Sequence, residues 1–250
     1  MTTRDNILIT GASSGLGAGM ARLFAAQGRN LALCARRLDR LEALKTELEG
    51  INPSITVRIK PLDVNDYDQV FQVFHAFQEE MGRLDRIIVN AGLGKGQPLG
   101  TGAFHANRQT AETNFVAALA QCEAAMEIFR AQNDGHLVMM SSMSALRGMR
   151  KNINTYAATK AGVASLAEGL RMEMLGKPIK VSTIYPGYIR SEINEKVEKA
   201  PFIVDTETGC KALVAAIERE PAKAFVPSWP WRPLGLAMRV LPLSWVRRMT

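Results

Sequence analysis

The sequence predicts a single α/β domain in which helices cover both faces of a doubly wound, mostly parallel sheet of about seven strands. Short apolar runs alternate along the chain with longer segments whose apolar residues recur at helical spacing. This alternation is typical of parallel strands joined by crossover helices. The 250 residues are 47% hydrophobic and 22% charged, which allows a sizeable core, and no linker-like stretch divides them.

The expected strands and helices follow one another in that alternating order. Strands are expected at 6–10, 30–35, 55–59, 84–89, 136–140, 179–184 and 224–226. The first helix is expected from the glycine turn to Gln27, and the second at 38–49 with Gly50 as its end signal. A third follows an apolar face from Val70 to Met81, and a long fourth helix carries Asn114. The last two helices are expected at 153–175 and 206–219.

A glycine-rich turn lies between the first strand and the first helix. Glycines let the backbone bend sharply and approach a pyrophosphate, which then sits on the amino-terminal amides of the helix. The strand–turn–helix order therefore indicates a dinucleotide site. The residues of the turn that we expect to contact the dinucleotide are Gly11, Ser13, Ser14, Gly15, Leu16 and Gly17.

The end of the second strand indicates which dinucleotide is preferred. An acid at this place would bind the ribose 2′-hydroxyl of NAD(H), but the chain has Ala35 followed by Arg36 and Arg37. A guanidinium fork suits the 2′-phosphate of NADP(H). The alternative, that both arginines only decorate the start of a helix, fits less well because the helix dipole disfavours cations there.

Tyr156 and Lys160 lie four residues apart on the helix expected at 153–175. Residues at this spacing lie on one helix face, so the two side chains are neighbours. Tyrosine titrates near about 10, and a nearby cation favours the phenolate. We therefore expect Lys160 to lower the pKa of Tyr156 and to make it a general acid or base. A surface tyrosine that merely precedes a lysine is the alternative for this motif taken alone.

Polar and small residues follow the other expected strands, at the edge of a parallel sheet where ligands bind. Asn114 stands among apolar neighbours on the long helix, an unusual place for an amide unless something bonds it. The segments at the strand ends are Asp63-Val64, Asn90-Ala91-Gly92, the serine run 141–144, and Pro186-Gly187 with Ile189 and Ser191 after it.

Together these motifs resemble those of the short-chain dehydrogenase/reductase family, over residues 6 to 226. The resemblance rests on Thr-Gly-x-x-x-Gly-x-Gly at 10–17, Asn90-Ala91-Gly92, Asn114, the serines before Tyr156-x-x-x-Lys160, and Pro186-Gly187, in this order. It implies a Rossmann-type fold, a nicotinamide cofactor and reversible carbonyl/alcohol chemistry. The segments after the third, fourth and sixth strands would then also contact the cofactor, with the Ser191 hydroxyl on its carboxamide.

The resemblance also implies roles for four catalytic residues. Tyr156 would protonate the carbonyl oxygen as hydride arrives from NADPH, and Lys160 would hold the nicotinamide ribose. Asn114 would hold a water that connects Lys160 to solvent. A serine would bind the substrate oxygen, but the usual position, thirteen residues before the tyrosine, is Met143. An extra residue in the loop 147–154 leaves Ser142 in that role, with Ser144 as the reserve candidate.

Composition excludes several other classes of protein. The net charge of +7 is dispersed, without the basic stripe of a nucleic-acid-binding protein. Cys34, Cys122 and Cys210 have no metal-ligand spacing and are expected to be reduced, buried thiols of a cytoplasmic protein. We expect no signal region, because the amino terminus reaches a strand almost at once, and no apolar run approaches the ~20 residues that span a bilayer. We expect no metal site.

The segment 227–250 is expected to form an apolar and basic extension of the domain at 1–226. It contains three tryptophans, several prolines and four arginines, without an acid. The prolines predict an extended stretch followed by a short helix near 234–241. Its apolar residues either pack on the body or a second subunit, or form a flap that rests on an anionic membrane.

The resulting hypothesis is an NADP(H)-dependent oxidoreductase that acts on a small apolar ketone or secondary alcohol, with Tyr156 as general acid/base. One alternative is a dinucleotide-binding redox sensor without turnover, although such a sensor usually lacks the tyrosine or lysine. The other is a lipid-type reductase at a membrane surface, through the C-terminal segment. Small residues on the tyrosine helix permit close helix approach, and the resemblance implies a homodimer or homotetramer.

Overall fold

The computed structural model describes residues 3–192 and 201–249. The strands are β1 Asn6–Thr10, β2 Asn30–Ala35, β3 Val57–Pro61, β4 Arg86–Val89, β5 Gly135–Met140, β6 Ile179–Pro186 and β7 Lys223–Val226. The helices are α1 Gly15–Ala26, α2 Leu38–Ile51, α3 Tyr67–Met81, α4 Phe104–Ala111, α5 Ala117–Gln132, α6 Asn154–Glu173, α7 Thr206–Glu218, α8 Ser228–Val240 and α9 Leu243–Met249. A π-helical turn, Glu112–Val116, joins α4 to α5, and the 3₁₀ turns Met143–Leu146 and Lys151–Ile153 precede α6.

The strands form one seven-stranded sheet in the order β3-β2-β1-β4-β5-β6-β7, and every neighbouring pair is parallel. The chain builds outward from β1 in one direction and from β4 in the other. The crossovers therefore diverge between β1 and β4 and leave a crevice at the carboxyl ends of these strands, where such folds bind ligands. This arrangement confirms the predicted Rossmann-type, doubly wound sheet.

Helices bury an apolar layer on each face of the sheet. On one face α3, α5 and α6 contribute Phe74, Phe77, Phe129 and Val163 to a continuous cluster. On the other face α1, α2 and α7 contribute side chains such as Phe24, which is fully buried. Burial of an aromatic or leucine side chain stabilises a fold by about 1.5–3 kcal/mol, so these layers hold the strand ends in place.

Several expected element bounds were wrong; β4, for example, begins at Arg86 rather than at residue 84. β3 begins and ends two residues later than expected, and α2 continues through Gly50 to Ile51. The end signal of α2 is Pro53, because a residue before proline is driven out of the helical region, and Asn52 is extended (φ −147°). The stretch expected to be extended after β7 belongs to α8, in which only Trp229 is non-helical. Pro230 stands in the first turn after it, where a missing N–H costs no hydrogen bond.

A buried polar group lies at the amino ends of β4 and β5, away from the crevice. The Arg86 side chain donates to His136 Nδ1 (2.9 Å) and to Glu218 (2.7 Å), and His136 Nε2 lies 2.8 Å from Ser182 Oγ. Burial and the neighbouring arginines lower the pKa of His136 well below its usual value. His136 is therefore neutral, and both of its ring nitrogens have hydrogen-bond partners, so its role is structural rather than catalytic. The three cysteines are free and buried, as predicted.

Candidate active site

The crevice brings together residues from the ends of β1, β2, β4, β5 and β6 that are far apart in the chain. The glycine turn follows β1, and the segment 90–92 follows β4 beside it. The serine run follows β5, and Pro186-Gly187 ends β6 next to it. The sequence-predicted segments at these strand ends therefore lie along one edge of the sheet.

The glycine turn packs directly on the segment after β4. Gly11 has φ +66°, and a Cβ there would lie 2.9 Å from the Ala91 Cα atom. A Cβ on Gly17 would lie 2.9 Å from Asn90 Nδ2. Ser14 is the N-cap residue of α1 but makes no side-chain capping bond, so the helix amino terminus keeps its amides for another partner. Larger residues would fill this cradle, whose shape and dipole suit a pyrophosphate.

Thr10 holds the two sides of the cradle together. Its Oγ1 accepts hydrogen bonds from the backbone N–H groups of Asn90 and Ala91, both at 3.1 Å, and it is fully buried. The Asn90 side-chain amide donates to the Thr10 carbonyl at 2.9 Å. Thr10 belongs to the sequence motif at 10–17, but no role was predicted for its side chain. Its position directly before Gly11 was the only feature of the sequence that could have indicated a role.

Of the two arginines after β2, Arg37 lies against the turn and Arg36 is exposed to solvent. Arg37 Nη2 donates to Ser13 Oγ (3.1 Å) and to Ser14 Oγ (2.7 Å). Arg40, one helical turn further on, joins Arg37 in an ion pair with Glu192. Sequence reasoning missed Arg40 and Glu192, because only the fold brings Glu192 to the start of α2.

Ser142, Tyr156 and Lys160 meet at the carboxyl end of β5. Ser142 lies next to Tyr156 and acts to lower the pKa of its phenol. Lys160 Nζ lies 5.9 Å from the centre of the Tyr156 ring and donates to the Met140 carbonyl at 2.8 Å. Ser144 is one step removed, because its hydroxyl donates to Ser142 Oγ at 3.0 Å. Met143 is buried in an apolar cluster.

The predicted decrease in the pKa of Tyr156 was wrong. Burial raises the pKa of Tyr156, and the effect of Ser142 offsets only part of that increase. Burial also lowers the pKa of Lys160 to about 8. The reason is that Lys160 bonds to a backbone carbonyl rather than to the phenol, so desolvation outweighs attraction between the two groups.

Asn114 lies in the π-helical turn and is fully buried beside Lys160. Its Oδ1 accepts from Leu93 N and its Nδ2 donates to Leu93 O, both at 2.8 Å. Both polar atoms of the Asn114 amide therefore have hydrogen-bond partners, as expected for an amide among apolar neighbours. A Cβ on Gly92 would lie 3.1 Å from Asn114 Oδ1 and 3.5 Å from Lys160 Nζ, so the segment after β4, Asn114 and Lys160 form one compact group.

The remaining predicted cofactor residues lie along the same edge. Asp63 follows β3 and accepts from the Asn65 backbone (3.1 Å), while Val64 is buried beside it. Ile189 is buried and forms a bridge with Val204. Ser191 reaches the glycine turn, since a Cβ on Gly15 would lie 3.4 Å from its Cβ.

The C-terminal segment forms one wall of the site. Trp231, only 6% exposed, packs with Met143 and Tyr185 and lies edge-on to Tyr188 with ring centres 5.7 Å apart. The Arg147 side chain donates to the carbonyls of Arg239 and Leu241, which ties the end of α8 to the serine loop. Across residues 3–192 and 201–249, no helix is both long and apolar enough to pass through a bilayer.

Comparison with known proteins places the chain in a family. A family model for short chain dehydrogenases matches residues 5–201. An uncharacterised oxidoreductase of Mycobacterium tuberculosis is 55% identical over 246 residues, which are 98% of this chain and 97% of that protein. The 11-beta-hydroxysteroid dehydrogenase 1A of Arabidopsis thaliana is 31% identical over 89% of this chain and 68% of its own length. The crystal structure of levodione reductase matches with a TM-score of 0.80 and 26% identity, over 90% of this chain and 95% of that one.

The chain therefore belongs to the short-chain dehydrogenase/reductase family. It is an oxidoreductase of that family, whose members use a nicotinamide cofactor.

Proposed function

We propose that this protein is an NADP(H)-dependent reductase, or the reverse dehydrogenase, that acts on an apolar ketone or secondary alcohol. The observation that carries the proposal is the assembly of Ser142, Tyr156 and Lys160 beside the glycine cradle. A hydroxyl, a phenol and a buried cation so close together suit proton transfer to a carbonyl oxygen.

Each side chain has a distinct part in that chemistry. Bound NADPH would supply the hydride. Tyr156 donates its proton to the carbonyl oxygen as that oxygen gains charge, and Ser142 donates a hydrogen bond to the same oxygen. Lys160 is charged at neutral pH, since its pKa is about 8, and stabilises the phenolate that Tyr156 becomes. Asn114 keeps the backbone at Leu93 in place beside Lys160.

The preference for NADP(H) rests on Arg37 and the two serines of the glycine turn. The guanidinium after β2 and the two hydroxyl groups of the turn after β1 provide donors for a phosphate on the adenosine ribose. Arg36→Asp and Arg37→Asp both test this preference in a kinetic comparison of NADPH with NADH. The contacts of Arg37 predict the larger loss of NADPH preference for Arg37→Asp.

An apolar substrate is supported by the walls around the catalytic group. Met143, Tyr185, Tyr188 and Trp231 form an apolar cluster next to Ser142. The relative from Arabidopsis is named for a hydroxysteroid, an apolar secondary alcohol. A rigid cyclic ketone is therefore the first substrate class to test.

The deciding experiment follows NADPH oxidation with a panel of apolar cyclic and acyclic ketones, for the wild type and Tyr156→Phe. We expect turnover by the wild type and a loss of at least about 10²-fold in the variant, because only the proton donor is removed. NADPH affinity should remain within about twofold. Binding of NADPH without turnover of any carbonyl would favour the redox-sensor alternative. A variant that keeps most of its rate would remove Tyr156 from this role.

A second candidate function, peripheral attachment to an anionic membrane, is favoured by the outer face of α8 and α9. Trp229, Leu236, Val240, Leu243 and Trp245 are 60–78% exposed there. Arg232, Arg239, Arg247 and Arg248 are exposed among them, and residues 224–250 contain no acid. Tryptophan suits the membrane interface and arginine the anionic headgroups. A lipid-type carbonyl substrate would then enter beside Trp231.

We also propose a cytoplasmic location and a homodimer or homotetramer. Buried, free cysteines suit a reducing compartment. Val116 and Leu119 are exposed on the long helical segment beside α6, and Ala158 is exposed on α6. Such faces allow helices of two copies to pack closely, and light scattering on the purified protein measures the number of copies.

A further inference from the structure

The carboxylate of Glu192 lies at the end of β2, among the donors assigned above to a phosphate. Glu192 Oε2 accepts from Ser14 Oγ (2.8 Å) and from Arg37 Nη2 (3.0 Å). Glu192 Oε1 accepts from Arg37 Nη1 (3.4 Å) and from Arg40 Nη1 (2.6 Å). One carboxylate thus receives four hydrogen bonds from three side chains.

This set of donors has the composition of a phosphate site rather than of an ordinary surface ion pair. Two guanidinium groups and a serine hydroxyl converge on one point, with the Ser13 hydroxyl bonded to the same Arg37. Both arginines stand at the start of α2, where the helix dipole disfavours cations, so an anion is needed between them. The hydrogen bonds that Glu192 accepts, of which the one from Arg37 has the largest effect, lower its pKa to about 2. The carboxylate is therefore charged at neutral pH.

We propose that Glu192 occupies the position of the cofactor's 2′-phosphate and competes with it, and that Arg40 is part of the phosphate site. The inference rests on the proposed use of NADP(H) and adds the residues that set the preference between the two cofactors.

The competition follows from charge. A phosphate that accepts from Arg37, Arg40 and Ser14 would lie within a few ångströms of the Glu192 carboxylate, and two anions at that distance repel. NADPH therefore binds only after Glu192 leaves its partners. NADH has a 2′-hydroxyl instead, which can donate to the carboxylate. Glu192 thus weakens binding of NADPH and favours binding of NADH.

The test measures dissociation constants of NADPH, NADH and adenosine 2′,5′-bisphosphate by calorimetry, for the wild type, Glu192→Gln, Arg40→Gln and the control Glu207→Gln. Glu207 is an exposed acid of α7 whose partner is Lys211, so the control removes the same charge outside the site. We expect Glu192→Gln to bind NADPH and the bisphosphate roughly threefold to tenfold more tightly, because a partly exposed ion pair no longer has to break. NADH should bind equally well or more weakly.

Arg40→Gln should weaken NADPH binding about tenfold, since a hydrogen bond between charged groups is lost, and change NADH binding less than about twofold. Two results overturn the inference: unchanged NADPH affinity in Glu192→Gln, or the same gain in Glu207→Gln. Failure of the proposed function has a different signature. In that case the wild type prefers NADH, and Arg37→Gln leaves NADPH affinity unchanged.

Discussion

At the scale of single residues, the site offers two serines for one role, and their hydrogen bonds separate them. Ser142 lies next to Tyr156 and acts to lower its pKa, whereas Ser144 donates to Ser142 through both its hydroxyl and its backbone N–H. The hydroxyl proton of Ser142 is thereby left for the phenol or for a substrate oxygen. Ser144 is a positioning residue for Ser142.

Ser142→Ala should lower kcat/KM by about 10²-fold or more, because one hydrogen bond to the developing oxyanion is lost. Ser144→Ala should cost less than about tenfold, since Ser142 keeps its place and loses one of its two donors. Steady-state kinetics of both variants with one ketone measure the difference. The reverse order would assign the catalytic role to Ser144.

Lys160 leads to a prediction about stability and pH. An unfolded lysine keeps its proton up to about pH 10.4, whereas burial lowers the pKa of folded Lys160 to about 8. Between these values the unfolded state binds more protons, so the contribution of Lys160 to the free energy of unfolding rises with pH. Relative to Lys160→Met, the wild type should gain up to about 3 kcal/mol from pH 8 to 10.

Urea unfolding of both proteins at several pH values measures this gain, and titration of other groups cancels in the difference. A difference that does not change with pH would show that Lys160 titrates like an ordinary exposed lysine. Water would then have to reach the Lys160 ammonium group more readily than its burial beside Asn114 indicates.

At the scale of elements, Thr10 joins the end of β1 to the end of β4. Thr10→Val keeps the shape of the side chain but leaves the N–H groups of Asn90 and Ala91 without their acceptor. Each buried unsatisfied group costs about 1–3 kcal/mol, so we expect a loss of at least about 2 kcal/mol in the free energy of unfolding.

Thr10→Ser keeps the acceptor and serves as the control. It should lose less than about 1.5 kcal/mol, since only a buried methyl group is removed. Equal losses in the two variants would mean that packing, and not the hydrogen bonds to the segment after β4, makes Thr10 important. Cofactor affinity measured on both variants shows whether the cradle shifts with the strand ends.

At the scale of the whole molecule, the outer face of α8 and α9 can be separated from the packing beneath it. Trp231, Met238 and Val246 are buried, so deletion of the segment would also expose the core. Leu236→Gln with Leu243→Gln alters only exposed positions. If this face contacts a membrane, co-sedimentation with phosphatidylglycerol-containing liposomes should fall about tenfold or more, because the apolar groups no longer enter the interface.

The matched control is Met172→Gln with Leu175→Gln, two exposed apolar residues in the last turn of α6 and just after it. It should bind liposomes like the wild type, and vesicles of phosphatidylcholine alone should bind less well because they lack the negative charge. A change in the number of subunits without any liposome binding in the wild type would assign the face to a subunit contact instead.

What the sequence determined by itself is local. Helix and strand periodicity depend on residues a few positions apart, so the alternation of elements, the glycine turn before α1 and the pairing of Tyr156 with Lys160 on one helix face followed from the sequence. The Tyr-x-x-x-Lys motif and the order of the other motifs sufficed to indicate the family.

The tertiary structure decided what depends on contacts between distant segments. Ser142 rather than Ser144 touches Tyr156, and Arg37 rather than Arg36 faces the glycine turn, because side-chain directions are set by packing. Glu192 reaches Arg37 across 155 positions in the chain. The pKa of Tyr156 rises where a local view predicted a decrease. Burial is a property of the assembled fold, and no pattern of neighbours in the sequence encodes how much water the fold removes from a side chain.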